Sequence, residues 1–149
     1  MAIEKETLEM PYIRPIPYGL KYGSEVKLEG FIPQNSKGFK ACFRCAQFRG
    51  ADIPFEFNLQ FEGPPHSSSA VVTLSSRAKR ERRKELKMPS TLRQGKSFAI
   101  RFIITSSGYK IIENDRVLTE FPHRLEPESI HFLVMDGQIT LKILAGLSN

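Results

Sequence analysis

Near the middle of the chain, eight consecutive residues alternate strictly between apolar and polar side chains. The apolar set is Phe55, Phe57, Leu59 and Phe61, and the polar set is Glu56, Asn58, Gln60 and Glu62. In a β-strand successive side chains point to opposite faces, so a period of two separates these sets onto a core face and an outer face. The pattern therefore predicts a half-buried strand rather than a helix.

The rest of the chain divides into similar short segments. Turn signals recur every 8–12 residues, which is typical of a β-sandwich or barrel with ten or eleven strands. The last two strands are predicted to form a hairpin across Asp136-Gly137, because this residue pair supplies positive φ angles. Another turn is predicted at Asn114-Asp115. Only Arg77–Lys87 has helical propensity, and its surroundings favour a strand or loop.

The length of 149 residues is that of one domain with its own hydrophobic core. Residues 1–10 are predicted to be a polar tail, and residues 11–149 the folded domain. No stretch reaches the length of a membrane helix, and Met1–Met10 is too polar for a signal peptide. We therefore expect a cytoplasmic protein, with export that needs no signal peptide as the second possibility.

Metal, cofactor and redox chemistry find little support in the sequence. Cys42 and Cys45 form a CxxC in a strand-like segment, where residues three apart face opposite sides, and no second cysteine pair exists to complete a zinc site. We interpret them as reduced structural cysteines. His66, His123 and His131 are scattered, so neither a metal site nor a catalytic triad is predicted. No cofactor is expected.

The positive charge is concentrated in one segment. The formal net charge is +6, and Arg77–Lys87 carries seven basic and two acidic side chains. Such a run is either a solvated face or a site for an anionic partner. On a strand, Arg80, Arg82 and Lys84 would share a purely basic face and are the candidates for an anionic partner. No nucleic-acid-binding fold signature accompanies the run.

Three motifs together resemble the galectin carbohydrate-recognition domain. They are the opening turn Tyr18–Ser24, the pair of segments Gly108-Tyr109-Lys110 and Asn114-Asp115, and the run Phe121-Pro122-His123-Arg124-Leu125. The resemblance covers about residues 11 to 146. It implies an all-β, galectin-type jelly-roll sandwich of two antiparallel sheets, with sugar bound on one concave sheet. The run Phe121–Leu125 is interpreted as a structural turn.

The resemblance also implies which residues face the sugar. The family's H-x-N-P-R run corresponds to Glu56-Phe57-Asn58-Leu59-Gln60, so Asn58 is retained while Glu56 and Gln60 replace the His and the Arg. A further family Asn corresponds to Leu74, and the family's Trp corresponds to Ala78. The implied carbohydrate-binding set is Glu56, Asn58, Gln60, Glu81 and Arg83.

These replacements weaken a typical galactose site. A sugar is held by polar contacts and one aromatic platform, and this chain contains no Trp. The leading hypothesis is therefore a lectin domain with an altered or weakened β-galactoside site that prefers anionic glycans. The alternative is a galectin-related protein that has lost sugar binding and acts as a protein-interaction or structural module. In either case the outer polar row of residues 56–62 could simply be the solvated face of a sheet.

Two further hypotheses concern catalysis and assembly. Glu56 and Glu81 could face one cleft as a hydrolase pair, but nothing indicates the raised pKa that a general acid needs; no enzyme is predicted. The segments Ile13–Leu20 and Gln138–Leu144 could pair between copies as exposed edges and give a homodimer. Prolines near the first edge would equally favour a monomer.

Overall fold

The computed structural model describes residues 8–63, 69–78 and 84–147, with the backbone alone described at Lys84. Within these ranges the chain forms two antiparallel sheets and one short 3₁₀ turn at Pro127–Ser129. The strands are β1 (Tyr12–Pro15), β2 (Glu25–Ile32), β3 (Gly38–Arg44), β4 (Ile53–Glu62), β5 (Ser69–Arg77), β6 (Lys84–Pro89), β7 (Lys96–Ile104), β8 (Gly108–Glu113), β9 (Arg116–Pro122), β10 (Phe132–Gly137) and β11 (Thr140–Ala145).

Six strands form one sheet in the order β1-β10-β3-β4-β5-β6, and five form the other in the order β11-β2-β7-β8-β9. The predicted all-β sandwich of two antiparallel sheets is therefore confirmed. No helix in the described ranges is long and apolar enough to cross a membrane.

The alternating segment forms β4, in the middle of the six-stranded sheet. Phe55, Phe57 and Leu59 are fully buried between the sheets, whereas the polar residues between them face outward. The prediction from the period of two is confirmed. This strand also joins the layers, because the Phe55 ring stacks on Tyr109 of the opposite sheet at a centroid distance of 4.4 Å.

The turn at Asn114-Asp115 is also confirmed. Both residues have positive φ angles, 46° and 68°, as a type I′ hairpin between β8 and β9 requires.

The predicted hairpin across Asp136-Gly137 is wrong. β10 pairs with β1 and β3 in the six-stranded sheet, whereas β11 pairs with β2 in the other sheet. Gly137 does have a positive φ of 121°, so the turn residue was identified correctly. A turn residue does not define the partner strand, however, and both edges of β10 are already occupied. The chain therefore crosses between the sheets, and Gln138 donates a backbone hydrogen bond to the Gly38 carbonyl at 2.9 Å.

Both predicted edges lie at the edges of the sheets, with β1 at one end of the six-stranded sheet and β11 at one end of the other. The backbone NH of Leu8 donates to the carbonyl of Leu141 in β11 at 3.1 Å, so contacts with the domain begin at residue 8. Residues 1–7 lie outside the described residues. The tail boundary at residue 10 and the homodimer both stay predictions.

A buried carboxylate fixes the chain beyond β6. Glu113 on β8 is 1% exposed, and it accepts hydrogen bonds from the Ser90 hydroxyl at 2.8 Å and from the Thr91 NH and hydroxyl at 3.1 Å each. The Ser90 hydroxyl in turn accepts from the Leu92 NH at 3.1 Å. Because β8 and β6 belong to different sheets, this network ties the end of β6 to the opposite layer.

We expect Glu113→Ala to destabilise the domain by about 3 kcal/mol, because it removes the acceptor of three hydrogen bonds, one of them from the buried Ser90 hydroxyl. Urea unfolding followed by fluorescence or circular dichroism measures the change. The matched control is Glu62→Ala at the exposed end of β4, which should change stability by less than about 0.5 kcal/mol. Equal effects of the two variants would contradict a structural role for the Glu113 network.

Candidate functional site

The outer face of the six-stranded sheet carries the polar side chains of β4. Asn58 lies at its centre, directly opposite Lys40 of β3 and Thr73 of β5. Residues directly opposite in an antiparallel pair share a face and lie close together. Continuing this register in both directions gives the central row, which runs through Asp136, Lys40, Asn58, Thr73 and Lys87.

Two further rows flank the central row. The acidic row runs through Val134, Cys42, Glu56, Ser75 and Glu85. The third row runs through Gly38, Gln60, Val71 and Pro89. The charges are thus sorted: two carboxylates lie in the acidic row, and two lysines with one aspartate lie in the central row. None of these 14 positions holds an aromatic side chain.

The structure places Glu56, Asn58 and Gln60 together on this face, as the alternation predicts. Glu56 and Asn58 are half-buried, and Gln60 is exposed. Glu81 and Arg83, along with Arg80 and Arg82, lie outside the described residues. The Lys84 backbone pairs with Ser76 at the start of β6.

The correspondence of Leu74 to a further family Asn on the sugar-binding strand does not fit the structure. Leu74 pairs with Phe57 on the inner face and is fully buried, so it cannot contact a ligand on the outer face. The residue that lies beside Asn58 is Thr73, which the sequence reasoning missed. A shift of one residue moves a side chain to the other face of a sheet. The apolar run around Val72 lacks a clear alternation, so only its pairing with β4 identifies the outer residue.

Ala78, at the position assigned to the family's Trp, directly follows β5 and is 5% exposed. It provides no platform for a sugar ring.

The environment of Glu56 includes a buried thiol. Cys42 is opposite Glu56 on β3 and only 4% exposed. Burial, assisted by the negative charge of Glu56, raises the pKa of the Cys42 thiol to about 12, although the nearby Arg44 acts in the opposite direction. The Arg44 guanidinium is held by the loop after β3, because it donates to the carbonyls of Ala46 at 3.1 Å and Phe48 at 3.0 Å.

A groove of about 370 Å³ opens beside Asn58, on the side of β3 and β10. Its polar lining is Lys37, Lys40, Asn58, Gln60, Asp136 and Gln138. Gly38 and Gly137 also line it. A Cβ at Gly38 would lie 1.9 Å from the Leu59 carbonyl oxygen, and one at Gly137 would lie 2.4 Å from the Phe39 Cα. The backbone can therefore pack this closely only with glycine at both positions.

Hydrogen bonds fix the wall of this groove. The Ser36 hydroxyl donates to the Gln138 carbonyl at 2.7 Å and accepts from the Gly38 NH at 3.0 Å. The Gln138 side-chain oxygen accepts from the Lys37 NH, and the Gln94 amide donates to the Ser36 carbonyl, each at 2.6 Å. These bonds hold residues 36–38 against Gln138 and Gln94, so the β3 and β10 sides of the groove are fixed to each other.

The cysteines and histidines considered as metal or redox residues are the remaining candidates from the sequence. Cys42 and Cys45 are both free thiols, and the described residues contain no cluster of His, Cys, Asp or Glu that could hold a metal ion. The His123 Nε2 lies 2.7 Å from the Thr105 carbonyl oxygen, and the His131 Nδ1 lies 3.2 Å from that of Ile16. His66 lies outside the described residues.

The run Phe121–Leu125 forms the end of β9 and the turn after it. Phe121 is fully buried, and the His123 ring packs edge-on against Tyr109 at a centroid distance of 4.6 Å. Arg124 donates to the Ser76 hydroxyl at 3.2 Å. These contacts join the turn to both sheets, in agreement with its interpretation as structural.

Comparison with known proteins identifies the fold and the family. Residues 11–145 match the family model described as galactoside-binding lectin. The chain is 32% identical over 133 residues to galectin-4 of Bos taurus, covering 89% of this chain and 39% of that protein. It is 26% identical over 129 residues to galectin-7 of Mus musculus, covering 87% and 91% respectively.

Solved structures agree at the level of the fold. Sheep galectin-11 in complex with glycerol superposes with a TM-score of 0.79 at 22% identity, covering 93% of this chain and 98% of that one. A human galectin-16 variant gives a TM-score of 0.77 at 21% identity, with coverages of 93% and 96%.

A two-sheet antiparallel β-sandwich whose sequence matches a lectin family model from residue 11 to residue 145 is a lectin-type domain. The chain belongs to the galactoside-binding lectin family, the galectins. The resemblance inferred from the sequence motifs is therefore confirmed. The chain spans about two fifths of the length of the galectin-4 relatives.

The raised pKa of Cys42 gives a test of its surroundings. Because the thiolate is the reactive form, we expect Cys42 in the folded protein to react with iodoacetamide at pH 8 at least about a hundredfold more slowly than in the urea-unfolded chain. Mass spectrometry of the alkylated peptides measures both rates, and the half-buried Cys45 serves as the internal comparison. Similar Cys42 rates in the folded and unfolded chain would contradict the described burial.

Proposed function

We propose that this domain binds a glycan on the outer face of the six-stranded sheet, around Asn58, and that its affinity for simple β-galactosides is weak. The observation that supports this most directly is the outward position of Asn58 between Glu56 and Gln60 on one strand. The family places His, Asn and Arg in this arrangement, so the retained Asn keeps one of three ligand contacts on β4.

The replaced residues account for the weak affinity. Gln60 in place of an Arg removes charge-assisted hydrogen bonds worth about 1.5–3 kcal/mol each. The missing aromatic platform removes about 1–3 kcal/mol more, by analogy with bases that stack on aromatic side chains. Glu56 in place of the His introduces an acceptor, so this site favours a sugar that presents hydroxyl donors there.

Restoring the family residues tests this proposal. We expect Glu56→His combined with Gln60→Arg to raise the affinity for lactose at least about tenfold, because the Arg restores charge-assisted hydrogen bonds at residue 60 and the His restores the family's ligand at residue 56. Titration with lactose, followed by NMR at the Asn58 side-chain amide, measures the change. The matched control is Glu62→His, which places a new His on the same strand beyond the family run.

The outcomes separate the glycan proposal from its alternative. A shift of the Asn58 amide with lactose, or binding of the unmodified domain to any glycan on an array, supports a glycan site. If the double variant binds no lactose and the unmodified domain binds no arrayed glycan, the proposal is wrong. A galectin-related module that interacts with proteins would then be favoured.

A second candidate ligand class is anionic, and the charge of the run Arg77–Lys87, which extends from the end of β5 into β6, favours it. Arg80, Arg82 and Lys84 alternate along the chain, with one acidic residue, Glu81, between them. Alternation would also place Glu81 and Arg83 toward the face that carries Glu85. An anionic glycan is therefore our proposal for this edge, with an acidic protein patch as the other partner class.

Heparin chromatography tests this edge. We expect the domain to elute well above about 0.15 M salt, because surface charges are screened over about 8 Å at that ionic strength and only a dense cluster still binds. Changing Arg80, Arg82 and Lys84 together to Gln should move elution to lower salt, whereas changing Lys110, Arg116 and Lys142 to Gln should not. Elution of the unmodified domain at or below 0.15 M salt would show that the run is a solvated face.

The remaining parts of the function follow from the same proposal. We propose no enzymatic activity, because a domain that only binds a ligand needs no catalytic group. Glu56 and Glu81 are therefore not proposed as a hydrolytic pair. A homodimer through β1 or β11, and a cytoplasmic location with export that needs no signal peptide, are likewise proposals.

A further inference from the structure

We propose that the end of the sandwich beside Tyr22 and Glu126 binds an arginine side chain of a protein partner. We call this place the Tyr22–Glu126 surface, and it consists of Tyr22, Tyr109, His123, Glu126 and Glu128. None of these residues belongs to the three rows around Asn58, so the inference goes beyond the proposed glycan site and does not depend on it.

One aromatic ring and two carboxylates are exposed together on this surface. The Tyr22 hydroxyl donates to one carboxylate oxygen of Glu126 at 3.0 Å. This hydrogen bond raises the pKa of Tyr22, and burial and the charges of Glu126 and Glu128 raise it further, so both carboxylates act on the same ring. Lys21 lies 3.6 Å from Glu128 and offsets one of the two negative charges. Glu126 forms no ion pair with another described residue, and its charge is therefore available to a partner.

Two buried polar atoms beside this pair have no hydrogen-bond partner within the described ranges: the hydroxyl of Tyr109, a residue that is 1% exposed, and the His123 Nδ1. The His123 ring contacts both tyrosines, with centroid distances of 4.6 Å to Tyr109 and 5.6 Å to Tyr22. Burial raises the pKa of the Tyr109 hydroxyl, and nearby charges that include Glu126 raise it further, so this hydroxyl lies on the side of Glu126. Because the His123 Nε2 donates to the Thr105 carbonyl at 2.7 Å, the neutral ring presents Nδ1 as an acceptor. Both buried atoms can therefore accept a hydrogen bond.

Backbone contacts hold the two segments of this surface together. The Leu20 NH donates to the Pro127 carbonyl at 3.2 Å. A Cβ at Gly19 would lie 2.2 Å from the Glu128 carbonyl oxygen, so only glycine lets the segment between β1 and β2 approach the turn after β9 this closely. The ring and the carboxylates are therefore in place before a partner binds.

An arginine side chain has the chemistry that these groups require. Its guanidinium is planar, stacks on an aromatic face and pairs with a carboxylate through two parallel hydrogen bonds. Its N–H groups are also the donors that the buried atoms of Tyr109 and His123 lack. The formal net charge of the chain is +6, so a basic partner is attracted only where carboxylates outnumber basic groups locally, as Glu126 and Glu128 do beside Lys21.

NMR titration with the peptide acetyl-Gly-Arg-Gly-amide tests the proposal, and the same peptide with citrulline in place of arginine is the neutral match. We expect the arginine peptide to shift the ring signals of Tyr22 and His123, and the citrulline peptide to bind at least about threefold more weakly, because citrulline keeps N–H donors but has no charge. Glu126→Gln should weaken binding of the arginine peptide by about threefold, which is the contribution of an exposed ion pair. Tyr22→Ala should weaken it at least as much, because the aromatic face is lost.

Two control variants separate the groups. Glu62→Gln removes an exposed carboxylate at the end of β4 and should leave binding of the arginine peptide unchanged. Tyr22→Phe keeps the ring and releases the Glu126 oxygen, so it should bind at least as tightly as the unmodified domain.

The proposal would be overturned by unchanged signals of Tyr22 and His123, by equal binding of the two peptides, or by equal losses in Glu62→Gln and Glu126→Gln. The Asn58 amide should respond to neither peptide. A failure at the Tyr22–Glu126 surface would therefore leave the proposed glycan site standing, and the lactose titration tests that site separately.

Discussion

The stacking of Phe55 on Tyr109 joins the two sheets, and the position of the candidate site depends on it. Phe55, Phe57 and Leu59 are fully buried, so the residues between them on β4 must face outward. The outward direction of the site residues does not depend on contacts of their own, because the buried residues of β4 hold the strand in register. A slip of one residue would bury the polar set and expose the aromatic set, at a cost of many kcal/mol of buried apolar surface.

Structural features that depend on a few neighbouring residues could be predicted from the sequence. The period of two identified β4, and Asn114-Asp115 identified a turn because both residues adopt positive φ angles at low cost. Pairing between distant segments could not be predicted in this way. Asp136-Gly137 has the composition of a hairpin turn, but β10 already has β1 and β3 as neighbours. Leu74 was aligned with a further family Asn because the sequence does not show that its partner is the inward-facing Phe57.

The groove beside Asn58 could not be predicted from local sequence patterns either. It brings together residues near 38, 58 and 137, which are distant in the sequence and adjacent only through the order β10-β3-β4. Its floor depends on Gly38 and Gly137, where a Cβ would overlap the neighbouring backbone. A glycine next to an aspartate indicates a turn in the sequence, and nothing local indicates that the turn borders a concave surface. Lys40 likewise has no sequence signal, because one lysine on the polar face of a strand is ordinary.

The arrangement of charges gives a physical reason why family membership alone does not define the ligand. Specificity is a difference between affinities, and it can come from repulsion as well as attraction. The family has a cationic Arg on β4, whereas this chain has Gln60 there and adds a carboxylate at Glu56. Attraction for an anion is thereby removed from β4, while the central row has a lysine on each side of Asn58, Lys40 on the adjacent β3 and Lys87 on β6, beyond Thr73 of β5. The same fold thus presents a different electrostatic pattern on this face, with two carboxylates in the acidic row and two lysines with one aspartate in the central row.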